Sequence, residues 1–522
     1  MGVNCEFNRR DFLKKTLLGS VAFTTGLVIN SKLIAEQKEP QNKSRPNIIV
    51  ILCDDLGWGD LSCYPQERDR EGVPLNTPNI DRLAEMGIRC TDGYATAPIC
   101  APSRAGFKMG RYQQTVGYYE FHETLAGIPR KITTIAQVLK RNGYATAFIG
   151  KWHSSDTFEI DDPGRRGFDE WYSFVAQHDY YDPRNGQPTL AIPHSYDCYM
   201  YENGIPDKSD SMEYLTDIFT NKAVDFIDRK CTKDKPFFLY LPYNAPHPPL
   251  QAKWEKLKKY YPDFGKKGFT SRDLVRAMID SVDEGVAQIL EKLKQHHQLE
   301  NTLIFFSSDN GGHDDGRNAA PYGLVQHNGG LRGRKGYLWE GGIRVPFIVT
   351  WPGRLPGGKI YSNPVNHLDI FATAAIAAQC SGVPENLDGV NLLPYLDGSK
   401  AGAPHEVLYW GFSGDTNRWA VRKGDWKLIC EMPSPVTTQI DSNIRMTGLY
   451  NLKDDIHEEN NLIEQHPDKA TELLKLKRDF YKRCKPTIVT AEQDKKWRED
   501  YEYRKENPDG AERRDGYPGC WK

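Results

Sequence analysis

Two acidic pairs and one cysteine carry the most chemistry in this chain of 522 residues. Asp54-Asp55 follows the apolar run 47–53, and Asp309-Asn310 follows the run 303–306 through two serines. Together they offer three carboxylates and one amide oxygen, a hard set that suits Ca²⁺, or Mg²⁺, where zinc would favour His or Cys. One Asp-Asp pair after a strand is as readily a helix cap or a solvated turn. A second Asp–Asn pair placed the same way tips the reading to a metal site. Cys100 is one of eleven cysteines, none of them in CxxC pairs or zinc-like clusters. Its neighbours, Cys100-Ala101-Pro102-Ser103-Arg104, set it apart. Lys151 and His153 stand two apart after the run 145–149, so extended backbone would point both the same way. His247 sits in Ala245-Pro246-His247-Pro248-Pro249, a rigid loop that suits a ligand or catalyst as well as a mere turn. Lys335 lies in the Gly-rich basic segment 331–342, for which a flexible surface loop is the competing reading, opposed by its place just before the run 345–350.

Positioning these residues falls to short apolar runs without polar alternation, the pattern of strands buried on both faces. They are 47–53, 145–149, 237–241, 303–306 and 345–350, alternating with helical patterns at 79–86, 134–141, 214–229 and 272–294. The alternation predicts an α/β fold with a mostly parallel sheet sandwiched by helices, over residues 46–400. In a parallel sheet the carboxyl ends of the strands emerge on one edge, where open α/β folds place their ligands. Asp54-Asp55, Lys151 with His153, His247 and Asp309-Asn310 all follow such ends, so one edge would collect them. Beyond a loop at 397–402 the texture changes. Short strand patterns at 407–410, 418–422, 426–429 and 448–450 and a helix at 467–481 predict a smaller C-terminal α+β domain, 401–522, built on an antiparallel sheet.

Cys100-Ala101-Pro102-Ser103-Arg104, with Gly110-Arg111 downstream, resembles the C-x-P-S-R motif of the type I, formylglycine-dependent sulfatases of the alkaline phosphatase superfamily. The resemblance runs from Arg45 to about Asp397, with the other motifs in order. It implies an alkaline-phosphatase-like fold and hydrolysis of sulfate esters. It implies that Cys100 is converted by a sulfatase-maturing enzyme to 3-oxoalanine (formylglycine), whose hydrate is the nucleophile. Asp54, Asp55, Cys100, Asp309 and Asn310 would hold the cation. Arg104 would fix the nucleophilic hydroxyl, and Asp309 would also take its proton. In the segment Gly150-Lys151-Trp152-His153, Lys151 would hold the sulfate and His153 would be the base that releases it and restores the aldehyde. His247 would stand beside the leaving group, and Lys335, although Arg334 precedes it where the family often has glycine, would contact the sulfate. A phosphonate or phosphodiester hydrolase of the same superfamily and an inactive glycan-binding relative are the competing readings.

Composition narrows the partners. With 68 basic and 70 acidic residues and no long basic run, neither nucleic acid nor an anionic membrane is an expected partner. Asn8-Arg9-Arg10-Asp11-Phe12-Leu13-Lys14-Lys15, ahead of a weakly apolar stretch too short to span a bilayer, resembles a twin-arginine export signal over 1–35, with a polar linker at 36–45. Export to a periplasm or beyond by the twin-arginine machinery, without a transmembrane segment, is the expectation. Exported context and aromatic content of 11% suit a sulfated polysaccharide or its oligosaccharides. His178, Asp179, Tyr180, Tyr181, His313, Arg317 and Arg332 are candidate rim residues.

Overall fold

The computed structural model describes residues 45–493 except 65–74, 177, 179, 181–188, 191–199, 208–212, 234, 262–267, 314–326, 412–417 and 432–445, and also Lys495 and Glu499. The expected export signal and all but the last residue of the linker lie outside the described residues.

Ten strands form the main sheet, in the order Lys359–Tyr361, Ile88–Cys90, Phe347–Thr350, Thr302–Ser308, Asn47–Cys53, Phe237–Pro242, Ala145–Lys151, Glu170–Phe174, Met200–Glu202, Ile205–Asp207. The five strands from Thr302–Ser308 to Glu170–Phe174 are mutually parallel. The margins are not: Phe347–Thr350 runs antiparallel to Thr302–Ser308, and Met200–Glu202 antiparallel to Glu170–Phe174. Asn47–Cys53 lies at the centre, buried on both faces as its unbroken apolar run predicts. Ile49, Ile51 and Cys53 enter one core, with Phe219 and Ala223 of the helix Leu215–Cys231 and Met278 and Val282 of the helix Ser271–Gln295. Ile48, Val50 and Leu52 enter the opposite core, with Phe107, Val138 and Ile370 from three other helices. Alternate side chains of one strand thus nucleate both halves of the sandwich.

Local sequence sets where helices begin. Thr134 and Thr270 each cap a helix reciprocally with Gln137 and Asp273 three residues on. The helix Cys100–Met109 was not legible from periodicity, because all ten of its residues are buried and it has no solvent-exposed face. Pro102 is tolerated in its first turn, where the missing N–H would have had no partner anyway. Gly110, at φ 61°, closes it in the left-handed conformation.

The C-terminal strands Val407–Gly411, Trp419–Lys423, Trp426–Glu431 and Met446–Asn451 make a four-stranded antiparallel sheet. The helix Pro467–Tyr481 packs Leu473 against Trp419, Val421 and Leu428 on one face. On the other, Leu408, Trp410 and Ile429 share a core with Tyr94, Ile99, Leu338 and Ile343, which belong to the region of the main sheet. Beside this core, Lys427 Nζ donates to Glu340 Oε1 at 2.8 Å and lies 2.9 Å from Glu458 Oε1, all three side chains fully buried. Arg344 binds the other oxygen of Glu340 at 2.7 Å. Among the described residues no helix is long and apolar enough to cross a membrane.

A buried charge that loses its partner costs roughly 3–5 kcal/mol. Lys427→Met, which leaves Glu340 and Glu458 facing each other, is expected to lower unfolding free energy by about 3 kcal/mol or more. Urea denaturation followed by tryptophan fluorescence measures this; a loss below about 1 kcal/mol would show that the triad does not hold the two sheets together.

Candidate active site

The parallel strands deliver their ends to one edge, as the alternation of runs predicts. Asp54 and Asp55 leave the central strand Asn47–Cys53, Asp309 and Asn310 leave its neighbour Thr302–Ser308, and Lys151 is the last residue of Ala145–Lys151. Asp54, Asp55, Arg104, Lys151, Asp309 and Asn310 are all completely buried. Such burial of charge is sustained only by pairing. Arg104 Nε and Nη2 grip Asp309 Oδ2 at 2.8 and 2.7 Å, while Nη2 stands 3.6 Å from Asp54 Oδ1. Lys151 Nζ donates to Asp54 Oδ2. Lys335 Nζ lies 2.7 and 2.8 Å from the two oxygens of Asp55. Asn310 Nδ2 donates to Asp55 Oδ1 at 2.7 Å.

Cys100 begins its helix beneath this edge, 1% exposed. Its Sγ and a carboxylate oxygen from each of Asp54 and Asp309 lie within 4.8 Å of one another; so do ligand atoms of Asp54, Asp55 and His247. Burial pushes the Cys100 thiol up to about 11 against the opposing pull of Lys151 and Lys335, so the unmodified side chain is not a thiolate at neutral pH. Burial also raises Asp309, to about 7, helped by the Asp54 carboxylate, and Arg104 opposes it. For Asp54, burial is outweighed by Lys151, His247 and Arg104, which hold it at about 2.

His153 differs from the extended-segment expectation. His153 has φ 44°, so the chain turns after Lys151 and the two side chains do not project in parallel from one strand. The His153 N–H is instead taken by Val175 O at 2.6 Å, and its Nδ1 is buried without a partner. Burial and the cations Lys151, Arg104 and Lys335 keep its ring neutral. His247 faces Asp55, Nε2 to Oδ2 at 3.6 Å, with Nδ1 2.6 Å from Pro248 O. A carbonyl only accepts, so Nδ1 carries the proton and Nε2 is bare. Burial, then Lys151, bring His247 down to about 3.

Lys335 reaches Asp55 from a loop that the sequence leaves free but the structure packs onto the strand ends. Its N–H donates to Gly312 O at 2.9 Å, and a side chain at Gly311 would put its Cβ 1.9 Å from Gly341 O. Arg334 is not at the carboxylates, and its Nη1 is buried without a partner. The rim expectations fare unevenly. His313 reaches the centre, Nε2 2.9 Å from Asp55 Oδ2, more intimate than a rim residue. Tyr180 is buried and donates to His247 O at 2.9 Å, supporting the loop rather than lining an opening. Arg332 lies over Trp339 and binds Tyr450 Oη and Glu458 O, at the junction of the two sheets. His178 accepts from Asn244 Nδ2 through its carbonyl. Asp179, Tyr181 and Arg317 lie outside the described residues. Lys108 is a residue that the sequence did not flag: buried in the helix, its Nζ stands 3.8 Å over the Trp152 ring and donates to Trp152 O at 3.1 Å, bracing the Lys151–His153 turn. Its only signal was a lysine on an otherwise uncharged stretch after Arg104.

The residues present fit a hard divalent cation. Asp54 Oδ1 and Asn310 Oδ1 are buried without a hydrogen-bond partner, both on the oxygen set named from sequence. The ammonium groups on Asp54 and Asp55 occupy oxygens for which a cation would compete.

Residues 46–380 match the family described as Sulfatase, and residues 333–486 that described as N-sulphoglucosamine sulphohydrolase, C-terminal. The chain is 30% identical to the uncharacterized sulfatase YdeN of Escherichia coli (strain K12), over 88% of this chain and 89% of that one. It is 31% identical to the N-acetylgalactosamine-6-sulfatase of Canis lupus familiaris, over 78% and 76%. Among solved structures, that of Ps i-CgsB in complex with k-i-k-neocarrahexaose aligns with a TM-score of 0.72 and 32% identity, covering 89% of this chain and 99% of that one.

A carboxyl raised in the fold stabilises below its unfolded value and loses that contribution as pH rises through the folded value. Chelated protein is therefore expected to lose stability as pH climbs from about 4 to about 7, the window between the ordinary and the raised Asp309 value. Added Ca²⁺ should raise Tm most at the upper end of that window, and Asp309→Asn should flatten the slope. Thermal denaturation across pH with and without chelator measures this; a Tm indifferent to Ca²⁺ at neutral pH would oppose a cation at these carboxylates.

Proposed function

The chain belongs to the sulfatase family and hydrolyses sulfuric esters, and from that premise we propose that it frees sulfate from a sulfated polysaccharide or its oligosaccharides, using Cys100 in oxidised form beside a divalent cation. The observation that carries this is the placement of Cys100 at a helix start, among Asp54, Asp309, Arg104, Lys151 and Lys335. Similarity to Ps i-CgsB, solved with a neocarrahexaose, supports a carbohydrate carrier for the sulfate. We read 46–400 as the catalytic domain and 401–522 as a C-terminal subdomain. The twin arginines at 9 and 10 support export.

Oxidation of the Cys100 thiol to an aldehyde removes two electrons and releases the sulfur as sulfide, so a sulfatase-maturing enzyme must supply the oxidant. Because Cys100 is 1% exposed in the fold, that enzyme would meet it before the fold closes. The hydrate of the aldehyde supplies the hydroxyl that takes the sulfuryl group. Asp54, Asp55, Asp309, Asn310 and the matured residue 100 would hold a Ca²⁺ (or Mg²⁺), which when bound would supply positive charge to the sulfuryl group.

The chain's own residues do the rest. Asp309, gripped by Arg104 Nε, accepts the proton of the attacking hydroxyl, and Arg104 fixes that hydroxyl as well. Lys151 and Lys335 balance the charge of the sulfuryl group as it is transferred. His247 is neutral in the empty site, but an anionic ester raises its proton affinity, so Nε2 becomes the donor to the departing sugar oxygen when substrate is bound. His153, kept neutral by burial and its cationic neighbours, accepts the remaining hydroxyl proton, expelling sulfate and restoring the aldehyde.

Cys100→Ser and Cys100→Ala are expected to lose turnover by about 10³-fold or more with Tm unchanged. Retained turnover in the purified variants would overturn the cysteine-derived nucleophile. His247→Ala should lower kcat/KM on a sulfated sugar by about 10²-fold and on nitrophenyl sulfate far less, because nitrophenolate leaves without a proton. Equal losses on both substrates would remove His247 from the leaving-group role. Assay of a panel of defined sulfated oligosaccharides tests the substrate class; cleavage of aryl sulfate alone would refute it.

A further inference from the structure

A second concave site lies at the other end of the nucleophile's helix. At 1.5 Å per residue, Cys100–Met109 carries Met109 about 14 Å along the axis from Cys100. There Met109 joins Val116, Ile132 and Ile488 in lining a cavity of about 660 Å³. The charged residues of its wall are Arg111, Lys131, Arg483 and Lys485, with no carboxylate among the lining residues. In a chain whose net charge is −2, four cations around one hollow stand out.

Their partners sharpen this. Arg483 is taken by Asp388, which also accepts the Tyr112 N–H. Among the described residues Arg111 has no carboxylate partner: its Nη2 reaches Thr115 Oγ1 at a long 3.5 Å, and its Nε is buried with no acceptor. The guanidinium of Arg111 lines the cavity with its charge uncompensated by any carboxylate of the wall. Lys131 and Lys485 are exposed, and among the described residues their ammonium groups pair with no carboxylate. No residue of this cavity takes part in the site at the strand ends.

We propose that this cavity is a second anion-binding site that holds a sulfated sugar residue of a polyanionic chain. The sulfate sits on Arg111, Lys131 and Lys485, and the apolar floor at Val116 and Ile132 takes the face of the sugar ring. The guanidinium fork and two ammonium groups match a sulfate's oxygens. The volume lies within the range of about 300–1,000 Å³ usual for organic ligands, and a lone sulfate would leave most of it empty. A second attachment retains a long chain by effective concentration without touching the reacting sulfur. The identity of the ligand as a carbohydrate rests on the proposed function; the anion site rests on the cavity alone.

The test compares matured, Ca²⁺-loaded wild type with the double variant Lys131→Glu, Lys485→Glu, both positions exposed. KM for a sulfated decasaccharide is expected to rise about tenfold with kcat unchanged, while kinetics on nitrophenyl sulfate stay the same. Arg111→Gln should do the same; should it fail to fold, the exposed pair carries the test. An unchanged decasaccharide KM, or equal impairment on both substrates, would overturn the proposal. Calorimetric titration with sodium sulfate separates the sources: sulfate binding that the double variant loses, with the decasaccharide unaffected, would make this a site for free sulfate and refute the sugar. If wild type cleaves only aryl sulfate, the substrate reading fails by itself. Titration with the uncleaved decasaccharide then decides the cavity, with loss of binding in the double variant expected and equal binding overturning it.

Discussion

Three carboxylates buried side by side at one sheet edge are the constraint around which this molecule is built. Asp54, Asp55 and Asp309 have no water to screen them, and at such separations like charges resist ionising together. Arg104, Lys151 and Lys335 neutralise them formally one for one, yet Asp309 still holds its proton to near neutrality. Two buried oxygens, on Asp54 and Asn310, go without a hydrogen-bond partner. A divalent cation would resolve both conditions and would give the cluster the excess positive charge that suits an anionic sulfate ester. The same burial that makes the cluster costly makes its charges strong.

The alkaline-phosphatase-like sheet is what allows such a cluster to exist. Central parallel strands are covered on both faces, so their ends are the place where polar groups can gather without interrupting a core. Arg104 comes from a helix with no exposed residue, and Lys335 from a glycine-dense loop pressed between backbone carbonyls. That loop continues into Trp339 and Glu340, which the C-terminal sheet holds through Lys427, Glu458 and a shared apolar core. The C-terminal strands therefore bear on the placement of Lys335 beside Asp55.

Much of this was legible in the sequence, for physical reasons. An unbroken apolar run such as 47–53 has few solutions other than a strand buried on both sides, and polar residues just beyond its end then have a known address. Asp54, Asp55, Asp309, Asn310, Lys151 and His247 follow from that logic, and the Cys100 motif from resemblance. Hidden features depended on tertiary contacts. The helix Cys100–Met109 shows no amphipathic period because both its faces are buried. The strand Glu170–Phe174 carries a polar residue at each of two positions and gives no clear run. His153 adopts a left-handed turn that spacing alone could not announce, and Arg332 is drawn from the expected rim into the junction by Trp339 and Glu458.

The reactivity of this site turns on the chemical state of one side chain. Mass spectrometry of the peptide spanning residues 99–104, from active protein produced with its maturing enzyme and trapped with a hydrazide reagent, reads that state directly. An aldehyde at Cys100 is expected, its occupancy tracking specific activity from one preparation to the next. Full activity in protein whose Cys100 is entirely thiol would contradict this expectation.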